Sequence, residues 1–240
     1  MSSSTTVLVV GGGATGTGIA RDLALRGVDV TLVDRGGLSS GASGRSHGLL
    51  HSGARYAEAD QVGAEECIGE NQILRSIAGE CIRDTGGLFV QLSQDDADYF
   101  EEKRAACEDI GIETELLDRA EARERVPGLS EDIERAMWVP DCAIYPSRFG
   151  AANAADAEAH GATIHPHAPL EGLTVEDGQV TKATLGGDVD DTVEAEYVVD
   201  AECETATRPL PDADDADRLD ELVAAYDGQG PIDADVVGAN

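Results

Sequence analysis

The sequence predicts an α/β fold that opens with a Rossmann-like βαβ unit. An apolar, β-branched run leads into a glycine triplet and then into an amphipathic helical pattern. Helical and strand patterns alternate through the middle of the chain, and short strands separated by turn dipeptides follow Gly161. Such a series is typical of a sheet covered by helices. With 240 residues, 41% of them hydrophobic, the chain can bury one sizeable core.

The opening unit begins with a strand over residues 6–10, which runs straight into Gly11 and two further glycines. A buried parallel strand that ends in a tight turn has this pattern. A helix over 14–26 should follow, because its apolar residues fall on one face and Gly27 supplies a stop. A second strand over 28–33 completes the βαβ unit.

The middle of the chain reads as mixed α and β, and the last part as strands. The segments with helical periodicity are 61–82, 95–110 and 148–160, with a strand at 88–92. A small antiparallel meander is predicted from short strands at 163–165, 170–175, 180–185 and 193–199. We therefore expect one domain over 1–200 and an acidic tail over 201–240 with a short helix.

Charge excludes two classes of partner. Against 48 acidic residues stand 17 basic ones, a net charge of -31, so the surface repels nucleic acid and anionic lipid. A surface this acidic predicts a salt-loving source, although a merely acidic protein is the alternative. The sequence has no secretion signal and no apolar run long enough to cross a bilayer, which predicts a cytoplasmic protein. Five cysteines without a C-x-x-C pair suggest reduced, structural thiols.

The glycine triplet has the G-x-G-x-x-G spacing of a dinucleotide site. Gly11 permits the tight turn, Gly13 lets the backbone approach a pyrophosphate, and Gly16 lets helix and strand pack closely. The positive helix N-terminus then faces the phosphates, and Asp34 ends the second strand where it can accept hydrogen bonds from a ribose. An ordinary glycine-rich turn is the alternative. The cofactor residues predicted here are Gly11, Gly13, Ala14, Thr15, Gly16, Asp34 and Arg35.

A second loop that permits close approach of the backbone follows at 36–53, with six glycines and five serines. Small residues and hydroxyls let backbone run beside a bound cofactor, and we assign Ser43, Gly44 and Ser46 to it. A plain nicotinamide enzyme would usually proceed to another helix. A flexible Gly/Ser linker is the alternative, but this stretch and the residues just after it also contain charged and aromatic side chains that a linker does not need: Arg45, His47, His51, Arg55 and Tyr56.

These motifs resemble a known family. The runs GGGATGTGIARDLALRGVDVTLVD at 11–34 and SSGASGRSHGLLHSGARY at 39–56 are similar to the start of flavin-dependent glycerol-3-phosphate dehydrogenases, especially the large catalytic subunit of the anaerobic type. The HSGARY ending is the specific part. A later run, DCAIYPSR at 141–148, resembles the family's return to its FAD domain. The resemblance covers roughly residues 5–200 and implies an FAD-binding domain with part of a substrate domain.

The resemblance also implies a reaction. It implies oxidation of sn-glycerol 3-phosphate to dihydroxyacetone phosphate, with electrons passed to a quinone through partner subunits and peripheral attachment to the membrane through them. Backbone near Leu170 would lie close to the adenine. After Val199 the chain departs from the family's pattern, and the family's further basic residues and C-terminal cysteine cluster are missing. Impaired turnover is therefore expected.

Three side chains of the HSGARY segment are candidates for catalysis. Arg55 offers a fork suited to the substrate phosphate, with the Tyr56 hydroxyl beside it. A surface salt bridge is the alternative for Arg55. His51 could move a proton near neutral pH, or serve only to orient and pack. His165 and His167 would share one face of a strand, but without a third ligand we predict no metal site.

Two other functions stay open at this point. One is a nicotinamide-dependent dehydrogenase that uses the same opening unit. The other is a non-catalytic nucleotide-binding remnant or subunit-interaction protein.

Overall fold

The computed structural model describes residues 3–176 and 178–201, which form two compact units. The first unit combines the described residues up to Ser46 with those from Pro146 onward, and the second spans His47–Tyr145. The division predicted from sequence, 1–200 and 201–240, stays a prediction. The acidic tail with its expected helix lies outside the described residues, apart from Ala201.

In chain order the elements are β1 (Ser3–Val10), α1 (Ala14–Leu25), β2 (Val30–Val33), β3 (Leu49–Leu50), α2 (Gln61–Ile77), β4 (Ile82–Arg83), β5 (Gly87–Leu92), α3 (Ala97–Ile110), β6 (Glu115–Asp118), α4 (Arg119–Arg125), β7 (Ile133–Val139), β8 (Cys142–Ile144), α5 (Pro146–Ala159), β9 (Thr163–His165), β10 (Leu170–Glu176), β11 (Gln179–Leu185) and β12 (Asp191–Asp200). This mixture of helices and strands confirms the predicted α/β class.

A six-stranded sheet organises the first unit, in the order β10-β11-β12-β1-β2-β9. β1 pairs in parallel with both β2 and β12. Both faces of β1 are buried, because Val7 and Val9 pack with residues of α1 and α5 while Leu8 and Val10 join a core built from β11 and β12. A parallel strand covered on both faces reads as a continuous apolar run, which is why the opening strand was visible in the sequence.

The predicted βαβ opening is present, with shifted boundaries. Gly27, at φ +78°, ends α1 as expected. The second strand begins at Val30 and not at residue 28, because the Val28 N–H still donates to the Leu23 carbonyl at 3.0 Å and so belongs to the helix end. The loss of two strand residues leaves the parallel pairing of β1 with β2 intact.

The predicted meander is correct for three of its four strands. β10, β11 and β12 pair antiparallel in sequence. β9 does not belong to the meander, because it pairs in parallel with β2 at the opposite edge of the sheet. The strand predicted at Thr163–His165 is present with those bounds, and only its place in the meander was wrong, because turn dipeptides mark where strands end but do not reveal which strand is the partner.

The second unit contains two three-stranded antiparallel sheets, ordered β3-β8-β4 and β5-β7-β6. The helix predicted over 61–82 is too long, since α2 ends at Ile77 and a 3-10 turn at Gly79–Cys81 leads into β4. The last residues of the predicted helix are in a strand instead, because Ile82 pairs with Ile144 of β8. The main core of the unit is formed by Ala54, Ala57, Ala64, Phe100, Cys107, Ile112, Met137 and Val139.

Two further observations concern the described part of the chain. None of its helices is both long and apolar enough to cross a bilayer. Cys67, Cys81, Cys107 and Cys142 are free thiols, and Cys203 lies outside the described residues.

Candidate active site

The glycine loop between β1 and α1 has the close packing that its spacing predicts. Gly11 adopts φ +112°, a backbone conformation that favours glycine. A Cβ atom on Gly16 would lie 1.8 Å from the Gly11 carbonyl oxygen, so no side chain fits there. The first turn of α1 contains no acidic residue. A tight loop that leads into a helix N-terminus of this kind is suited to an anionic phosphate.

The serine-rich loop closes over this helix N-terminus. Gly13, at the N-cap position, has no side chain to offer, and the Ala14 N–H donates instead to Ser43 Oγ at 2.8 Å. A Cβ atom on Gly13 would lie 2.9 Å from the same hydroxyl. Gly44 is equally constrained, because its Cβ would lie 2.1 Å from the Ser39 carbonyl oxygen. The two predicted loops therefore meet in one cradle of backbone and hydroxyl groups, with Thr15 and Ser46 exposed near its rim.

Asp34 joins the two loops of the cradle through hydrogen bonds to their backbones. Its Oδ2 accepts a hydrogen bond from the Gly12 N–H at 2.6 Å, and its Oδ1 accepts one from the Gly36 N–H at 2.7 Å. A carboxylate has about four acceptor positions, so a ribose hydroxyl can still bind. The sequence suggested only the ribose role, because backbone partners of a carboxylate leave no mark in sequence. Arg35, next to it, is exposed.

The segment before β10 runs beside Asp34. The Asp34 N–H donates to the His165 carbonyl at 3.0 Å, and the Ala168 N–H donates to the Asp34 carbonyl at 2.8 Å. Leu170 begins β10 two residues later. The expectation that two histidines share one strand face was wrong: β9 ends at His165, and His167 lies in a turn at φ +56°. No group of three or more metal-ligating side chains occurs among the described residues.

The HSGARY segment lies in the second unit and exposes only the end of its motif. Ser52, Gly53 and Ala54 are buried, whereas Arg55 and Tyr56 are exposed. Gly53 adopts φ +86°, and a Cβ atom there would lie 2.3 Å from the Ala64 carbonyl oxygen of α2. The motif therefore needs glycine at this position so that the chain can turn against α2 and present Arg55 outward.

Lys103 of α3, which sequence analysis did not single out, stabilises the turn that contains Arg55. Its ammonium group lies 2.6 Å from the Glu58 carboxylate and 3.4 Å from the carbonyl oxygens of Ala54 and Arg55. The residue is buried. Burial alone would raise the pKa of Glu58, but hydrogen bonds from Lys103 and Tyr99 outweigh it and lower that pKa. The helical periodicity around Lys103 gives no signal for this contact.

His51 has polar neighbours on two sides. Its Nδ1 lies 3.8 Å from Asp141 Oδ2, and its ring meets that of His47 edge-on with centroids 5.5 Å apart. Asp141 Oδ1 accepts hydrogen bonds from both the backbone N–H and the hydroxyl of Ser52, each at 2.7 Å. Two of the three runs that carried the resemblance, at 39–56 and 141–148, therefore contact each other directly.

Three arginines stand out by lacking partners. Arg35, Arg45 and Arg55 make no ion pair or hydrogen bond through their guanidinium groups with any residue that the structure describes. The other described arginines all have a partner; examples are Arg21 with Asp156 and Arg125 with Glu115. In a chain with 48 acidic residues, an exposed and unpaired guanidinium is unusual. All three belong to the predicted cofactor or substrate motifs.

Three of the described thiols have a raised pKa. Burial, followed by the contact of its Sγ with Asp84, raises the pKa of Cys142 to about 11. Burial likewise raises the pKa of Cys67 and Cys107. A thiol reacts as its thiolate, so a raised pKa makes these cysteines less reactive at neutral pH.

A sheet with parallel central strands, a glycine loop at a helix N-terminus and a carboxylate after the second strand define a dinucleotide-binding α/β protein. Comparison with known sequences gives the family: residues 6–217 match the family described as FAD dependent oxidoreductase. The chain belongs to that family. FAD as the cofactor, predicted from the sequence, is thereby confirmed, and the nicotinamide alternative has no support.

Relatives confirm the resemblance to glycerol-3-phosphate dehydrogenases. The chain is 50% identical to a subunit of the anaerobic glycerol-3-phosphate dehydrogenase of Haloferax volcanii, over 84% of the chain and 36% of that protein. It is 48% identical to a subunit of the enzyme of the same name from Escherichia coli K12, over 75% of the chain and 33% of that protein. The chain spans about a third of the length of these relatives.

A solved structure supports the fold alone. Glycine oxidase from Geobacillus kaustophilus superimposes with a TM-score of 0.73 at 24% identity, over 86% of this chain and 57% of that one. Its name refers to an amine substrate, so a shared fold does not select the substrate.

Proposed function

We propose that the chain is the FAD-binding part of an enzyme that oxidises sn-glycerol 3-phosphate to dihydroxyacetone phosphate. The observation that carries this proposal is the exposed, unpaired guanidinium of Arg55 at the tip of a turn that Lys103 and Gly53 hold in place. A planar fork of donors without an intramolecular partner is suited to a phosphate dianion. The similarity to subunits named for glycerol 3-phosphate supports the choice of substrate.

The cofactor would be held by the first unit. Backbone of Gly11, Gly13 and Gly16, with the N-terminus of α1, is suited to the pyrophosphate, and Asp34 to the adenosine ribose. The remaining residues that we assign to FAD are Ala14, Thr15, Arg35, Ser43, Gly44, Ser46 and Leu170. Unpaired Arg35 and Arg45 add positive charge to a cradle that has no lysine. Bound FAD supplies the acceptor for the hydride that leaves C2 of the substrate.

The second unit would handle the substrate. Arg55 binds the phosphate, with the Tyr56 hydroxyl as a second donor, and Tyr56 is 42% exposed. Oxidation of the alcohol removes a hydride from C2 and a proton from the hydroxyl group. His51 is suited to accept that proton, because a neutral imidazole carries a lone pair on one ring nitrogen.

Beyond this chain, the resemblance extends the proposal to electron transfer. Electrons would pass to a quinone through partner subunits, in agreement with the word "subunit" in the names of both relatives. A cytoplasmic protein attached to the membrane only through those subunits would satisfy this scheme.

The test is anaerobic reduction of the FAD-loaded protein in high salt. Adding sn-glycerol 3-phosphate should bleach the visible absorption of the flavin in a saturable way, whereas glycerol and glycine should not. The rate of bleaching measures the turnover of this chain with that substrate. If dithionite bleaches the flavin but glycerol 3-phosphate at high concentration does not, the proposal fails and the non-catalytic alternative is preferred.

A further inference from the structure

Asp141 of the second unit is closely constrained by its neighbours. Its Oδ1 accepts the backbone N–H and the hydroxyl of Ser52, each at 2.7 Å. On another side stands Gly87 of β5, where a Cβ atom would lie 2.9 Å from Asp141 Oδ2 and 3.0 Å from its Cβ. The carboxylate is therefore fixed by the residue next to His51 and needs glycine beside it.

One carboxylate oxygen remains for His51. Asp141 Oδ2 accepts no hydrogen bond from a residue within the described ranges, and its neighbour is His51 Nδ1 at 3.8 Å. This distance is longer than a hydrogen bond, but such contacts in active sites are often long before substrate binds. Both side chains are largely buried, with 25% of His51 and 16% of Asp141 exposed.

The backbone of His51 is held independently. The Asn71 side chain of α2 is fully buried, and its Nδ2 lies within 3.4 Å of three carbonyl oxygens. Three acceptors around one amide group require its NH2 end, which fixes the orientation of the amide. The carbonyls belong to Leu50, His51 and Pro140, so Asn71 ties the end of β3 to the turn that carries Asp141.

From this arrangement we propose that Asp141 is a positioning residue that fixes the tautomer of His51, with the proton on Nδ1 and the lone pair on Nε2. The proposal rests on the proposed function only for its catalytic consequence. A carboxylate accepts hydrogen bonds and donates none, so the imidazole nitrogen that faces it must carry hydrogen. Nε2 is then the atom that accepts the hydroxyl proton, and the imidazolium that results keeps its Nδ1–H toward Asp141.

The titratable groups against His51 are Asp141 and His47. The Leu49 N–H donates a hydrogen bond to His47 Nδ1 at 3.0 Å. His47 therefore accepts a backbone hydrogen bond through that nitrogen and does not compete for Asp141.

The tautomer can be measured directly. Long-range proton–nitrogen correlation spectra of the FAD-loaded protein, with labelled imidazoles, distinguish the two nitrogens of each of the five histidines. The His51 signals are identified by their loss in His51→Gln. We expect Nδ1–H in the parent at a pH where His51 is neutral. An Nε2–H pattern in the parent would overturn the proposal, whether or not the protein reduces its flavin.

Asp141→Asn gives the matched change, because the amide keeps the shape but turns a donor toward Nδ1. We expect His51 to switch to Nε2–H, and flavin reduction by glycerol 3-phosphate to slow on the order of 100-fold or more. The apparent dissociation constants for substrate and FAD should change by less than about threefold. The control is Asp84→Asn, which removes a charge from the same unit beside Cys142. A tautomer unchanged by Asp141→Asn would contradict the inference, and if that variant does not fold, the parent spectrum still decides.

Discussion

Gly16 shows how strictly single positions of the cofactor loop are constrained. Its missing side chain leaves room for the Gly11 carbonyl oxygen, which would lie 1.8 Å from a Cβ atom. The contact is with backbone, so it cannot be relieved by rotation of a side chain. A little further along the same helix, Gly18 has nothing within 4 Å of its Cβ position.

The two glycines give a matched pair for a first prediction. Gly16→Ala should destabilise the fold by more than about 3 kcal/mol, because β1 and α1 must separate, and FAD should be lost. Gly18→Ala should raise stability by roughly 0.5–1 kcal/mol, since alanine costs less backbone entropy in a helix. Thermal unfolding in high salt, followed by circular dichroism, measures the stability of both variants, and the visible absorption of the purified proteins measures the bound flavin. Equal melting temperatures for the two variants would show that the loop is looser than described.

Arg55 allows the substrate assignment to be tested by a change of shape at constant charge. Lysine keeps the charge but loses the two-pronged donor geometry. Arg55→Lys should weaken binding of glycerol 3-phosphate about 10-fold to 100-fold, as expected for one or two hydrogen bonds to a charged group. FAD affinity should not change. Titration of flavin reduction in the parent and the variant gives both quantities.

Arg125→Lys is the control for that experiment. Arg125 is also on the surface, but both its contacts to Glu115 lie within the protein at 2.7 Å. Arg125→Lys should therefore bind glycerol 3-phosphate as tightly as the parent does. If Arg55→Lys also behaves as the parent, Arg55 has no place in the site.

At the scale of elements, the turn between β3 and α2 depends on a helix that is distant in sequence. Lys103 of α3 joins the turn through Glu58 and two carbonyl oxygens. The ammonium group is desolvated, and removing one partner of such a pair leaves an uncompensated charge. The turn that presents Arg55 therefore depends on an ion pair.

That ion pair predicts an acid-sensitive part of the stability. Because the pKa of Glu58 in the folded protein is lowered from its ordinary value of 4.5, its stabilisation is present above that value and is lost as pH falls through the folded pKa. Glu58→Gln should cost about 2 kcal/mol at neutral pH. The deficit should shrink steadily as the pH is lowered from 5. Urea unfolding at several pH values measures it.

Glu102→Gln, at an exposed position of α3, serves as the comparison and should leave the pH profile unchanged. A deficit of the same size at pH 3 and pH 7 would show that the Glu58 carboxylate does not carry the effect.

Elements with a strong local signal were predictable from sequence, and long-range partners were not. The apolar run of β1, the helical face of α1 and the positive φ at Gly27 are each specified by neighbouring residues. α4 was missed, because its seven residues are mostly charged and a capping box at Asp118 starts it. β9 was placed in the wrong part of the sheet because pairing with β2 is a choice between distant strands.

The candidate site divides in the same way. Glycines and the Arg55 fork are recognisable by residue type, since few residues can replace them. Lys103, Asn71 and Asp141 were missed as site residues, because they act through contacts between segments far apart in the chain. The signal that could have pointed to Lys103 is its rarity: the chain has two lysines, and one of them is buried.

For the whole molecule, net charge is the dominant physical quantity. A formal charge of -31 on 240 residues opposes compaction unless salt screens it. The screening length falls from about 10 Å at 0.1 M to about 3 Å at 1 M salt.

The melting temperature should therefore rise by several degrees or more between 0.1 M and 2 M potassium chloride. Chloride is the right anion for this test, because sulfate would strengthen burial by exclusion from the surface. The same series at pH 4.5, where part of the carboxylates are protonated, should show a smaller dependence on salt. A melting temperature that is equal in dilute and molar chloride would contradict a protein adapted to salt.

The parallel pairing of β1 with β12 also has a consequence for synthesis of the chain on the ribosome. Val7 is paired with Tyr197, and about 190 residues separate them. At roughly 5–20 residues per second, the first strand waits on the order of 10–40 seconds for that neighbour. Throughout this interval one edge of a strand whose second half, Val7–Val10, is wholly apolar has no partner from β12. The second unit, which is one continuous segment, is complete long before then. The nascent chain therefore has to keep an unpaired apolar strand edge protected while a later segment is still being made.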